Sequence, residues 1–287
     1  GGKAADYFSG SGYLSGPLKL ARIEAEEFMF CAERGLRMNL GHMTSAGGSA
    51  PVTLAGALVL FLAETIFLNI IARCFFGGRS LALGCGISVL DMAKGYYPYA
   101  RPERQMWNVA MAQMARRYQA AYSGHCGHSD AKRPSAEAGY QKALTTIPTL
   151  LACGRTHVGA GLLSGDEVFS PIQMIIDNEF VGALKHFAQG FEVNDETLAL
   201  GVIQEVGPGG QFMDNAHTLA HWRTAHWQPK LWTRESFSSW AAAGARMDAD
   251  KALDVYRDIL TRPDPPQIPE AAERRLLGIM AQASAQL

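Results

Sequence analysis

The chain has 287 residues, 48% of them hydrophobic and 18% charged, with a formal net charge of −1. That length carries one large domain with a full core, or a barrel with a small appendage. The balanced, scattered charge excludes an extended nucleic-acid surface, which needs clustered Lys and Arg to displace counterions; the densest basic run, Arg116-Arg117, reads as a solvated helix end.

In chain order, helices and short strands alternate. Leu18–Arg34 reads as an amphipathic helix, and Arg37–His42 as a strand that opens into a Gly-rich loop. Pro51–Phe76 reads as a long helix with Pro51 suited to its start. That run approaches membrane-spanning length, but Glu64, Asn69 and Arg73 inside it favour a buried core helix, so no membrane is expected. Leu81–Gly84 is a second strand, Glu103–Tyr118 a helix and Gln119–Ser123 a third strand. Pro134–Leu151 is helical, with a break or bend expected near Pro148, which has no backbone hydrogen to donate. Arg155–Val158 is a fourth strand, and beyond Pro171 the chain turns mostly helical. From about Arg234 a helical tail is interrupted by Arg262-Pro263-Asp264-Pro265-Pro266 and closes on Leu276–Ala283. Alternation of this kind predicts parallel β/α units. Four visible strands are half of what an eight-stranded barrel needs.

Five cysteines (Cys31, Cys74, Cys85, Cys126 and Cys153) are widely spaced with no CxxC pair, so neither a disulfide framework nor a Cys-based zinc site is expected. Free thiols fit a reducing cytoplasm.

The chemistry-bearing residues concentrate between Tyr122 and Gly182. The strand ends at Ser123-Gly124-His125 and Thr156-His157-Val158-Gly159 each open into loops of Gly, His and small polar residues. In a barrel such loops share one rim. His125, Cys126, His128 and Asp130 invite a metal, as do His217, His221 and His226, but neither group has a second matched cluster or an HExxH spacing, and no metal is assigned. Ser123, Ser129 and Cys126 lie beside histidines without a GxSxG elbow or a third partner. Gly207-Pro208-Gly209-Gly210 and Gly77-Gly78 lack phosphate-loop spacing and read as turns. Aromatics near the presumed loops (Tyr96, Tyr97, Tyr99, Tyr122, Phe169 and Phe212) could wall a cage for a fixed cation.

Several segments carry a family resemblance. They are SAPVTLAGALVL at Ser49–Leu60, LDMAKG at Leu90–Gly95, SDAK at Ser129–Lys132, EAGYQKAL at Glu137–Leu144, HVGAGLL at His157–Leu163 and DNEFVG at Asp177–Gly182. FEVNDETLAL at Phe191–Leu200, VGPGGQF at Val206–Phe212 and HTLAHWR at His217–Arg223 continue it. Together they resemble the trimethylamine methyltransferase family, the corrinoid-dependent methyltransferases of trimethylamine and quaternary amines. The resemblance implies a TIM-type (β/α)8 barrel or its C-terminal part over residues 1–233, with a helical extension over 234–287. It implies further strands near Val206–Phe212, and the strands still missing are expected in an N-terminal portion that family chains carry. It also implies methyl transfer from an amine to cobalamin presented by a separate corrinoid protein, with no metal held by this chain. Family members specific for trimethylamine carry pyrrolysine in a loop that maps onto about Gly124–Ser129. Here His125, Cys126, Gly127 and His128 stand there, which points to a quaternary amine such as glycine betaine. Catalytic roles are expected for His125, His128, Asp130 and His157. Substrate contacts are expected from Tyr97, Tyr99, Tyr122, Phe169, Gln173, Gln211 and Phe212. A partial barrel exposes strand edges, so a homo-oligomer or a partner is expected.

Overall fold

The computed structural model describes residues 7–14, 16–77, 82–84, 86–154, 156–263 and 268–285. Of the expected features, Gly78, Leu81, Cys85, Arg155 and Asp264–Pro266 lie outside the described residues. The arrangement is mixed α/β. Strand β1 (Ser9–Leu14) leads through helix α1 (Arg22–Glu33) to β2 (Arg37–His42) and β3 (Ser45–Ala46). Helix α2 (Leu54–Phe76) leads to β4 (Ala82–Leu83) and β5 (Ser88–Val89). Helix α3 (Pro102–Tyr118) leads to β6 (Ala121–Tyr122) and β7 (Gly124–Cys126), and α4 (Ala136–Cys153) to β8 (Thr156–Val158).

All four pairings along this series are parallel: β1 with β2, β3 with β5, β4 with β6, and β7 with β8. Successive β/α units therefore stand side by side in chain order, each joined by a helical crossover. Among the described residues no pairing joins β8 back to β1, so the arc is not closed into a barrel. An antiparallel pair, β9 (Leu162–Leu163) with β10 (Val168–Phe169), follows as a short hairpin. Strand β1 was not expected. Its SGSGYL composition is poor in β-formers, and the strand exists through pairing with β2 and burial of Leu14 beside Phe28 and Met38.

Helices α1 to α4 pack against the strands they join. Phe61, Leu62, Leu83, Ile87, Trp107 and Met111 form the main core, and the Trp107 indole donates to the Leu54 carbonyl at 2.9 Å. Helix α2 is, among the described residues, the one helix long and apolar enough to cross a membrane by length and composition. Its inner face is tied to the sheet: Glu64 is buried and accepts from Leu18 N, Thr44 Oγ1 and His42 Nδ1 at 2.9–3.0 Å. Helix α4 runs through Pro148 without the break that was one of the two expectations there. Its Thr145, Thr146 and Thr149 are buried, and packing of this face against α3 and β7 outweighs the one lost backbone bond.

Beyond β10, α5 (Pro171–Gln189) is followed by α6 (Asp195–Leu198), α7 (Leu200–Val206), α8 (Ala216–His221), α9 (Phe237–Ala242), α10 (Asp248–Thr261) and α11 (Glu270–Ser284). The expected strand at Val206–Phe212 is absent: Val206 ends α7 and the rest is turn and irregular chain. Two Gly with positive φ, Gly207 and Gly209, break any extended run there. The tail is anchored by Glu179 on α5, whose Oε1 accepts from the backbone N–H groups of Lys230 and Leu231 at 2.6 and 2.7 Å. Helix α10 packs on α5, and the Lys251 ammonium donates to the Leu231 carbonyl.

Candidate functional site

The loop after β7 is positioned by one face of α4. Gly127 adopts φ +74, and a Cβ there would lie 2.5 Å from Val158 Cγ1, so only glycine lets the chain turn back at this point. His128 N then donates to Thr145 Oγ1, while Ser129 Oγ and Asp130 N both donate to Gln141 Oε1. Lys142 is buried and donates to the carbonyls of Gly127 and Gly159 at 2.9 and 3.0 Å. It also pairs with Asp177 Oδ2 at 2.9 Å. That same oxygen accepts from Gly161 N, and Oδ1 from the Gln173 side chain. One ion pair thus clasps the loops after β7 and β8 to α4 and α5.

The tip of the β9–β10 hairpin is pinned onto this loop. Ser164 N donates to the Ala131 carbonyl, Gly165 N to the Ser129 carbonyl, and the Lys132 ammonium to Ser164 Oγ. The result places Asp166 Oδ1 3.7 Å from His128 Nδ1, beyond hydrogen-bond distance. From the other side comes the loop of residues 91–101, closed by an Asp91–Arg101 ion pair at 2.6 Å. Asp130 fixes its far end, accepting Tyr99 N at 2.9 Å and Ala100 N at 3.0 Å.

Between these loops four side chains meet. The His125 and His128 rings pack edge to face at 4.3 Å, and Tyr99 meets His128 the same way at 5.4 Å. The Arg104 guanidinium carbon lies 4.4 Å over the Tyr99 ring. Burial, then the positive fields of His128 and Arg104, pull the His125 pKa down to about 4. His128 is also held below the ordinary value, chiefly by burial. Both rings are therefore neutral at pH 7. Partial burial works against ionisation of Asp166, but His128 and the more distant His125 and Arg104 outweigh it and keep the carboxylate ionised. The cluster is also short of hydrogen-bond partners. Both His128 ring nitrogens, Arg104 Nε, the Tyr96 hydroxyl and Gln105 Nε2 are buried without one. Buried polar groups are ordinarily paired, so this concentration makes the cluster the candidate site.

The expected site residues divide in three. His125, His128 and Tyr99 come together as a cluster, and His157 is the register partner of His125, hence on the same face. His157 itself is exposed, with Nδ1 2.8 Å from Ser123 Oγ. Asp130 and Gln173 sit beside the site as supports, bonded to backbone and to Asp177 respectively. Tyr122 turns its hydroxyl to Asn108 Oδ1 under α3, and Tyr97 is exposed. Phe169 packs by Gly161 and is also exposed. Gln211 and Phe212 lie exposed in the irregular segment after α7. Among the described residues no three His, Cys, Asp or Glu side chains converge as a metal site. The His217 and His221 rings on α8 meet tilted at 4.5 Å, and His221 Nε2 lies 3.4 Å from Glu196 Oε1. A cavity lined by Gly10, Ile23, Glu26, Glu27, Phe30, Cys31 and Met38 involves none of the clustered residues. Sequence reading missed Arg104 and Asp166. Arg104 shares the face of Trp107 and Met111 at i, i+3, i+7 spacing, so periodicity did carry a signal of its inward position.

The sequence pattern of one family, described as Trimethylamine methyltransferase (MTTB), matches residues 13–287. A trimethylamine methyltransferase MttB from Desulfitobacterium hafniense (strain DSM 10664 / DCB-2) is 32% identical over 92% of this chain and 53% of its own length. One from Methanosarcina barkeri is 34% identical over 85% of this chain and 49% of its own length. A glycine betaine methyltransferase from Desulfitobacterium hafniense (strain Y51) is 29% identical over 93% of this chain and 56% of its own length. The chain thus spans about half the length of the curated relatives it matches.

Proposed function

The chain belongs to the trimethylamine methyltransferase family, and from that premise we propose that it serves methyl transfer from a quaternary amine to the corrinoid of a separate protein. One relative is named for glycine betaine, the substrate type favoured here. The observation that carries the reading is the buried His125–His128–Tyr99–Arg104 cluster where the loops after β5 and β7 meet, with its unpartnered polar atoms. This is the C-terminal end of parallel strands, where α/β folds place their chemistry, and we take the arc of β/α units to be part of a barrel.

The corrinoid supplies a cobalt(I) nucleophile, and a quaternary ammonium leaves as a neutral tertiary amine, so no proton has to be delivered at the reacting carbon. The work of this chain is orientation and exclusion of water. Neutral His125 and His128 present aromatic walls without a charge to repel the substrate's ammonium, and the Asp166 carboxylate supplies the opposite sign. No metal is required of the chain in this reading. Free Cys31, Cys74 and Cys126 suit a reducing cytoplasm. The outer face of α2, with Val59, Phe67 and Ile70 exposed, suits self-association.

An anaerobic assay with cob(I)alamin and a panel of betaines and methylamines tests the reading. Methylation of cobalt from a betaine and not from trimethylamine is expected, undiminished by chelators. Transfer from trimethylamine alone, or a dependence on added zinc, overturns it. A second reading, amine binding without independent catalysis, is favoured by one observation. Among the described residues β1 and β8 are each paired along one edge, and His157 beside the site is exposed. Binding by calorimetry without cobalt methylation would select it.

A further inference from the structure

Five Arg, Lys, Asp or Glu side chains are buried among the described residues: Glu64, Arg104, Lys142, Asp177 and Glu179. Four of them are hydrogen-bonded or ion-paired. Glu64 accepts from Leu18, Thr44 and His42. Lys142 and Asp177 hold each other and the loop backbones. Glu179 accepts from the backbone at Lys230 and Leu231. Arg104, only 5% exposed, is the exception. It lies in no ion pair within 4.0 Å among the described residues, and its Nε is buried without a partner. A buried guanidinium with no ion-pair partner in reach is costly, a cost that an arriving anion would relieve.

We infer that Arg104 is the anchor for a carboxylate on the substrate, which makes the site one for zwitterionic betaines rather than for simple quaternary or tertiary amines. This rests on the amine reading above and adds the specificity determinant to it. The guanidinium is laid flat on the Tyr99 ring, which fixes its plane and leaves its in-plane hydrogens for a planar acceptor. One guanidinium beside neutral histidines matches a single negative charge. A phosphate would call for a second cation, and Lys142 is already committed to Asp177. Asp166, in the same cluster, provides the opposite pole for the ammonium end.

Calorimetric titration of the full chain with glycine betaine and with choline, which keeps the trimethylammonium but replaces the carboxylate by a hydroxyl, tests the assignment. Glycine betaine should bind at least tenfold tighter than choline, and excess acetate should displace the former and not the latter. Arg104→Gln should erase that preference while leaving choline affinity within about twofold, and Arg104→Lys should retain part of it. Equal affinity of the unaltered chain for both ligands, or an equal loss for both in Arg104→Gln, overturns the anchor and leaves the amine reading standing. Binding of neither ligand overturns both. Should Arg104→Gln fail to fold, the betaine-to-choline ratio and the acetate competition decide on the unaltered chain.

Discussion

Lys142 and Arg104 are both buried cations, on the neighbouring helices α4 and α3, and the molecule treats them in opposite ways. Lys142 meets three oxygens, from Asp177, Gly127 and Gly159, all within 3.0 Å. Arg104 meets an aromatic face and no acceptor. A satisfied buried charge is scaffold, since its geometry is complete without a ligand. An unsatisfied one is a cost the fold carries for binding. The same contrast separates Asp130, whose two carboxylate oxygens cap Tyr99 N and Ala100 N, from His128, whose two ring nitrogens bond to nothing.

Replacing one partner of the clasp should have the largest effect. Lys142→Met leaves Asp177 buried and half-compensated and should cost about 3–5 kcal/mol of unfolding free energy, read by chemical denaturation. A loss below about 1 kcal/mol would mean that the clasp is not scaffold. Next comes acid. His125 titrates near 4 when folded and near its ordinary value of 6.5 when unfolded. Between those values the unfolded chain binds the extra proton, so stability is complete above about pH 6.5 and falls as the pH drops towards 4, by roughly 3 kcal/mol for this group. His42 and His128 are lowered too and act in the same direction. His125→Gln should flatten that slope in denaturation curves taken across the range, and an unchanged slope would show that His125 is not the group responsible.

Asp130→Ala should cost about 2 kcal/mol by freeing two backbone donors, and should loosen the loop bearing Tyr99. Amide hydrogen exchange at Tyr99 and Ala100 checks it; unchanged protection there would remove Asp130 from its supporting role. The smallest effect on stability is expected at the site itself. His128→Leu removes buried nitrogens that bond nothing, so its unfolding free energy should stay within about 1 kcal/mol of the parent while betaine affinity drops. A large loss of stability would place His128 with the scaffold instead.

The sequence by itself set the alternation of helices and parallel strands, because apolar periodicity and turn residues are local signals. It also marked His125, His128 and His157, which lie at strand ends bounded by glycines. It did not disclose β1, whose Ser-Gly composition is strand-like only once β2 offers a partner. It did not disclose that Tyr122 and Gln173 each engage a neighbour, Asn108 and Asp177, which only packing decides. It passed over Arg104, an ordinary charge in the first turn of a helix until α3 docks and buries it. Asp166 was likewise invisible until the hairpin tip was pinned on the Ser129–Lys132 loop: it lies 38 residues from His128 along the chain but 3.7 Å from it in space. Secondary structure follows from neighbours along the chain. Which charges go unanswered is decided by groups far apart in sequence, and therefore only by the tertiary structure.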